Sequence, residues 1–348
     1  MGLEVPILQA PMAGAGGSAL AVAASEAGAL GALPCAMLDV DKARAEIGVI
    51  RQQTNKPMGV NFFCHTPEAP DPARDEGWKS SLAPYYTELG LDADAKAPAV
   101  NRAPFDEAMC ELVEDTKPEV VSFHFGLPEA SLLARVKAAG CLVISSATTV
   151  AEARWLADRG CDAIIAQGVE AGGHRGMFLS DDISTQVGTM ALVPQVVDAV
   201  SVPVIAAGGI ADGRGIAAAF ALGAAGVQIG TAYLHTPESL ITDLHRAALR
   251  LTRDDESALT NLFSGRPARG IMNRIMREAG PMSDKTSAFP TAGGALAPLK
   301  KAAEAQGDAG FTSLWSGQAA ALGVASGAGE VTRRLAEDAL DRLKSLSR

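Results

Sequence analysis

Eight short apolar runs recur along the chain, each separated from the next by a longer stretch. They are Pro6–Leu8, Leu30–Leu33, Met58–Phe63, Val120–Phe123, Leu142–Ser145, Ala163–Ala166, Val204–Ala207 and Val227–Ile229. The runs are apolar throughout rather than alternating, the pattern of strands buried on both faces. Helical spacing fills most of the gaps, at Ser18–Ala27, Val40–Gln52, Pro128–Ala139, Val150–Arg159, Met190–Ala199 and Arg214–Leu222. Glycine stands between several helices and the next strand, as in Ala139-Gly140-Cys141, Arg159-Gly160-Cys161 and Ala225-Gly226-Val227. That is the helix C′ position, where glycine ends the helix most cheaply. The alternation predicts parallel βαβ units. An open sheet fits the pattern, but eight is the strand number that closes a (β/α)8 barrel. The expected class is α/β, a (β/α)8 TIM barrel with a smaller, mainly helical second domain.

Two stretches break the rhythm. Cys64–Ala103 is polar and proline-rich and reads as an insertion after the third strand. His235–Ala309 follows the eighth strand and carries helical pieces at Glu238–Leu251 and Glu256–Phe263 and a basic knot, Gly265–Gly270. Elaborations this long are usually lids or binding loops. The expected division is 1–234 with 310–348 for the barrel and 235–309 for the second domain. The amphipathic segment Glu330–Leu346 then supplies the barrel's last helix.

Of the 348 residues, 48% are hydrophobic and 20% charged, enough apolar surface for a large core. A net charge of −10 argues against nucleic acid or an anionic membrane as partner. The five cysteines are scattered without CxxC spacing, which excludes a disulfide framework and a structural zinc site. Cys141 and Cys161 read as buried thiols opening strands. Val5–Ser25 and Gly215–Pro237 are uncharged and long enough to span a membrane, but proline and glycine cut both into short elements. Glu4 precedes any basic residue, so the N-terminus does not read as a secretory signal. A cytoplasmic protein is expected, and a homodimer is compatible with the sequence.

In such a barrel the active face lies at the C-terminal strand ends. Gly208-Gly209 and Gly230-Thr231 follow the last two strands, where bare backbone N–H groups and a helix start suit a phosphate. Taken alone, these glycines fit tight turns equally well. Asn61, Gln167 and Gln228 are uncharged amides that suit the imide edge of a heterocycle, or else tie down loops. Phosphate and ring edge together describe flavin mononucleotide. His174 is flanked by Gly172, Gly173 and Gly176 and is the candidate acid, base or hydrogen-bond donor. His124 ends a buried strand, as a core histidine or a ligand contact. His65, His124 and His174 have no HxH pairing, so no metal is expected. No serine-hydrolase elbow and no dinucleotide fingerprint is present. A flavin-free phosphate-binding isomerase or synthase remains open on these residues.

Several motifs together resemble the nitronate monooxygenase family, of the bacterial and fungal first class. They are Pro6–Gly14, Gly59-Val60-Asn61, the loop Gln167–Gly176, Pro203–Asp212 with Ala207-Gly208-Gly209-Ile210, Gly226–Thr231, and Ser313–Ala320. The likeness runs in order along nearly the whole chain. It implies an FMN-dependent barrel that oxidises alkyl nitronates, such as propionate 3-nitronate, with O2 and without NAD(P)H. It implies FMN contacts at Asn61, Gln167, Gly172, Gly209, Gln228, Ile229, Gly230 and Thr231, with Met12 and Gln318 beside them. His174 matches the family's active-site histidine, and His124 a second histidine position. The family's pocket carries several tyrosines and a lysine. This chain has only Tyr85, Tyr86 and Tyr233, with Lys300 or Lys301 for the lysine. A rival on the same scaffold is an FMN-dependent NAD(P)H reductase acting on quinones or enoyl thioesters, in which Arg266 and Arg269 would hold a nucleotide phosphate.

Overall fold

The computed structural model describes residues 1–92 and 102–347. In chain order it begins with β1 (Ile7–Gln9), α1 (Ser18–Glu26), β2 (Gly31–Pro34), α2 (Val40–Gln53) and β3 (Met58–Phe63). After α3 (Pro72–Glu88) come α4 (Glu107–Thr116), β4 (Val120–His124), α5 (Ala130–Ala138), β5 (Leu142–Ala147), α6 (Val150–Asp158) and β6 (Ala163–Gln167). A two-residue strand, β7 (Gly173–His174), precedes α7 (Thr189–Ala199), β8 (Val204–Ala207), α8 (Gly213–Ala221), β9 (Gly226–Ile229) and the one-turn α9 (Thr231–Leu234). The remainder is α10 (Asp243–Leu251), β10 (Ser257–Thr260), β11 (Ala268–Ile271), α11 (Arg274–Ala279), α12 (Ala292–Glu304) and α13 (Ala328–Leu346).

Eight parallel strands form one sheet in the order β1-β9-β8-β6-β5-β4-β3-β2. A parallel bridge between Leu8 and Leu30 joins its two ends, with Gln9 N–H donating to the Leu30 carbonyl and Leu30 N–H to that of Ile7, both at 2.9 Å. The barrel interior is filled by Leu8, Leu30, Val120, Ile144, Ile165 and Ile205. The opposite strand faces pack against the helices in a larger core, which explains why the strands carry apolar residues on both sides. Aspartates cap several helices: Asp39 accepts from Lys42 N, Asp106 from Met109 N and Asp212 from Arg214 N. The last helix, α13, docks against α8 and α1, so the chain returns from its excursion to cover the final gap in the helical ring. Gly213 permits this approach: a Cβ there would lie 2.4 Å from the Asp338 backbone. Cys141 and Cys161 are buried free thiols.

The second core differs from its expected form in two respects. The polar stretch after β3 contains α3, whose Trp78, Leu82 and Tyr86 pack with Leu262, Ile275, Met276, Leu296 and Leu299 from beyond residue 235. Trp78 Nε1 donates to the Ala292 carbonyl at 3.1 Å and the Tyr86 hydroxyl to that of Ala295 at 2.6 Å. The expected insertion also includes residues 93–101, which lie outside the described residues. Second, Glu256–Phe263 is not helical. Its core is β10, antiparallel to β11, and β11 pairs in turn with β7, Ala268 opposite His174 and Arg269 opposite Gly173. Partner strands override local helical spacing here. The His174 loop is therefore an edge strand of the excursion's own sheet. Among the described residues, no helix is long and apolar enough to cross a membrane.

Candidate active site

A cavity of about 410 Å3 lies at the C-terminal ends of the barrel strands, within the ~300–1,000 Å3 typical of pockets that enclose a small organic ligand. Ala10–Gly14 line it after β1, Asn61 and Phe63 on β3, Ser122 and His124 on β4, Gln167 on β6, and Gln228 on β9.

One side is a cradle of bare backbone. Gly208 and Gly209 hold φ of +112° and +70°, a region that suits glycine. Among the described residues, the N–H groups of Gly172, Gly208, Gly209 and Gly230 donate to no protein acceptor. Thr231 Oγ1 accepts from Gly317 N at 2.9 Å, which leaves its own hydrogen to donate. Unspent donors converging beside a helix start are the chemistry of an oxyanion site.

The amides differ in how much they have left. Asn61 Nδ2 donates to the Ser122 hydroxyl at 2.8 Å and carbonyl at 3.2 Å, so its oxygen remains as an acceptor. Gln228 is unengaged by any described residue. Gln167 is largely committed: its Nε2 donates to the His174 carbonyl at 3.0 Å and its Oε1 accepts from Gly176 N at 2.7 Å. It staples the loop that carries His174. Arg175 reinforces the staple, donating to the carbonyls of Gln167 and Gly168 at 2.7 and 2.8 Å.

His174 projects into the cavity within 6.1 Å of the rings of Phe63, Phe125, Phe289 and Trp315. Its Nε2 lies 2.8 Å from the Ser264 hydroxyl. A hydroxyl both donates and accepts, so either neutral tautomer is accommodated, and Nδ1 is left for substrate. Burial pushes the ring's pKa well below its ordinary value, helped by Arg102, His124, Arg266 and His65. The imidazole is therefore neutral at pH 7. His124 Nε2 lies 3.3 Å from the His174 carbonyl and Nδ1 3.2 Å from Ser146 Oγ. Since a carbonyl only accepts, His124 carries its proton on Nε2 and accepts from Ser146. Its Nε2 holds the His174 loop in place, and its Nδ1 ties the ring to β5.

Of the other residues singled out in the sequence, Met12, Gly172, Gly209, Gly230 and Thr231 line the cavity. Ile229 buries its side chain in the barrel core. Gln318 is exposed, its backbone N–H donating to the Glu170 carbonyl at 3.0 Å. Lys300 lines the cavity, whereas Tyr85 and Tyr86 pack in the second core and Tyr233 bonds Thr332 of α13 in the core between strands and helices. Arg269 is committed to the Val169 and Ser257 carbonyls. Arg102, His245, Thr312 and Trp315 also line the cavity. The sequence offered no signal for His245, whose Nε2 donates to the Trp315 carbonyl at 3.0 Å.

Burial depresses the pKa of His65, His124 and His245 to about 4. The unfolded chain takes up those protons near pH 6.5, so stability is full above that value and is lost as pH falls toward 4. A urea midpoint measured at pH 5 is expected to lie clearly below that at pH 7, by roughly 1–2 kcal/mol per histidine. A midpoint flat across this window would show that these rings are not held neutral.

The fold and the site define a barrel whose strand-end cavity sets unspent backbone donors opposite a buried histidine in an aromatic enclosure. The chain belongs to the nitronate monooxygenase family, whose sequence model matches residues 1–338. It is 41% identical to the nitronate monooxygenase of Paraburkholderia phytofirmans, over 99% of this chain and 95% of that one. It is likewise 41% identical to the nitronate monooxygenase of Pseudomonas aeruginosa, over 97% of each. Among solved structures it superposes on the nitroalkane oxidase of Streptomyces ansochromogenes with a TM-score of 0.91 and 38% identity, covering 99% of this chain and 98% of that one. The protein is thus an enzyme of a flavin-dependent oxidoreductase family.

Proposed function

We propose that the protein oxidises alkyl nitronates with O2, using bound FMN. Family membership supports the reaction, and the unspent donor set supports the cofactor. The N–H groups of Gly208, Gly209 and Gly230 with the Thr231 hydroxyl would hold the phosphate. Asn61 Oδ1 and the Gln228 amide would meet the polar edge of the ring. A Cβ at Gly172 would lie 2.5 Å from Gly317 N, so the wall at that point is close backbone with no room for a side chain. When bound, FMN supplies electron acceptance from the substrate and the reaction with O2.

The protein's own part is position, dryness and one proton site. A nitronate already carries its charge on oxygen and needs orientation more than a strong base. The neutral His174 ring supplies that through Nδ1, as donor to a nitronate oxygen in one tautomer or as acceptor of the α-proton of a nitroalkane in the other. Phe63, Trp315 and their neighbours exclude water, where a preorganised hydrogen bond is worth most. The single observation that carries this reading is the buried His174 ring facing the same cavity as the unspent glycine donors.

An anaerobic visible spectrum of the purified protein tests it. A yellow protein whose spectrum ignores NADH and NADPH but changes with propionate 3-nitronate is the expected result. Rapid bleaching by either pyridine nucleotide would replace this reading with a reductase, and a colourless protein that binds no added FMN would remove the flavin.

A further inference from the structure

Beside the cavity, reaching its wall at Arg102, lies a charged corner that neither the glycine cradle nor His174 uses. In the ring of eight strands, β3 and β4 stand four places from β8 and β9. Residues following β3 and β4 therefore face the glycine cradle across the mouth. His65 follows β3, Arg102 precedes α4, and Arg266 reaches in from the turn between β10 and β11. All three meet on one ring. The His65 ring centroid lies 4.7 Å from that of Phe289, and the guanidinium carbons of Arg102 and Arg266 lie 5.9 and 5.6 Å from it. Arg266 also covers Phe125 at 4.6 Å, and Arg102 shares the cavity wall with Phe63, His124 and His174.

Among the described residues, each of the three keeps a buried nitrogen without a partner: His65 Nδ1, Arg102 Nη1 and Arg266 Nη1. His65 is only 5% exposed. Among the described residues, neither arginine has an ion pair, and Asp181 and Glu68 act on Arg266 only through the longer-range field. Burying an unpaired cation carries a large desolvation cost. Planar forks with unspent N–H groups match a planar oxyanion, which they can grip through two parallel hydrogen bonds. The aromatic floor holds the forks in place by cation–π contact without consuming those donors.

We propose that Arg102, Arg266 and His65 form an oxyanion subsite that takes the carboxylate of the substrate, with the reacting carbon at His174. The subsite is separate from the glycine cradle, which faces it across the mouth. The reacting end rests on the nitronate reading; the anion end rests on the two unpaired guanidiniums and the neutral His65 ring beside them.

The test compares two substrates that differ in one charge, propionate 3-nitronate and the nitronate of methyl 3-nitropropionate. The readout is the ratio of their kcat/KM values. Arg102→Met and Arg266→Met are each expected to lower the acid-to-ester ratio by about tenfold or more, since a charged hydrogen-bond partner is lost. Arg102→Lys and Arg266→Lys keep the charge and the stem, and lower the ratio less. A ratio unchanged across all four variants would overturn the subsite. A second readout needs no turnover: calorimetric binding of propionate to the flavin-loaded protein, which both methionine variants are expected to weaken about tenfold. If the wild type oxidises neither nitronate but the variants lose propionate binding, the nitronate reading fails and the subsite stands. If nitronates are oxidised while propionate binds all variants alike, the subsite fails and the reaction stands.

Discussion

Replacing His174 with asparagine is expected to lower kcat/KM for a nitronate by ~10²–10³-fold, the range for losing a positioned proton-transfer group or a preorganised donor. The loss should fall on chemistry rather than on the flavin. His174 lies on β7, held by Ala268 opposite it, and its carbonyl is gripped by Gln167 and His124. None of those backbone contacts depends on the ring, so the loop should stay in place. Asparagine sets an amide atom near the position of Nδ1, but an amide cannot take up a proton. It is also too short to reach Ser264, which now lies 2.8 Å from Nε2. Steady-state kinetics beside the flavin-to-protein ratio separate the two effects. Near-normal turnover in a fully flavin-loaded mutant would remove His174 from the mechanism. A companion expectation concerns pH. Because burial holds the ring neutral, the wild-type rate should not lose His174's base form until the pH is well below 6.5.

The second large effect is expected from a single added methyl group. In Gly172→Ala the new Cβ would lie 2.5 Å from Gly317 N and 2.6 Å from the Ser316 carbonyl carbon. Backbone rather than a flexible side chain is in the way, so one of the two loops must move. Gly317 N also donates to Thr231 Oγ1, and displacing it releases the hydroxyl assigned to the proposed phosphate site. Overpacking of this kind costs ~1–3 kcal/mol, which as lost ligand affinity is roughly tenfold to a hundredfold. Titration of the apoprotein with FMN, followed by flavin fluorescence, should show that weakening. Gly48→Ala is the control, since nothing lies within 4 Å of its Cβ, and it should bind flavin as the wild type does. Equal affinity in Gly172→Ala would mean that this wall is not part of the cofactor site.

Much of the site was legible in the chain because its signals are local. Glycine pairs after two strands, a histidine among glycines and amides on strand ends need only their neighbours to be recognised. Asn61 shows the other side of this. Its residue type suggested a ring contact, but only the Ser122 partners reveal that its oxygen, not its nitrogen, is what remains. Gln167 carried the same signal and is instead spent mostly on the His174 loop. His124 followed the same course, with both ring nitrogens engaged by the protein.

Other features had no local signal at all. The stretch before residue 92 looked polar because α3 exposes most of its surface, and its buried residues Trp78, Leu82 and Tyr86 face a core built from residues some two hundred positions away. The strand β10 was read as helix because its partner β11 is not visible in its own spacing. Arg266 and Arg269 looked equivalent in the motif Gly265–Gly270, yet Arg269 is committed to carbonyls and Arg266 keeps an unpaired buried nitrogen.

The sequence by itself determined eight parallel βα units and the strand ends as the place for a site. Strands that are apolar on both sides must be covered on both faces, which an open sheet between two helical layers would also achieve; the bridge between Leu8 and Leu30 is what closes the sheet into a barrel. Only the tertiary structure decided which polar groups are already satisfied and which are left for a ligand. That is a matter of pairing between residues distant in the chain, and hydrogen-bond partners in three dimensions leave no periodicity to read.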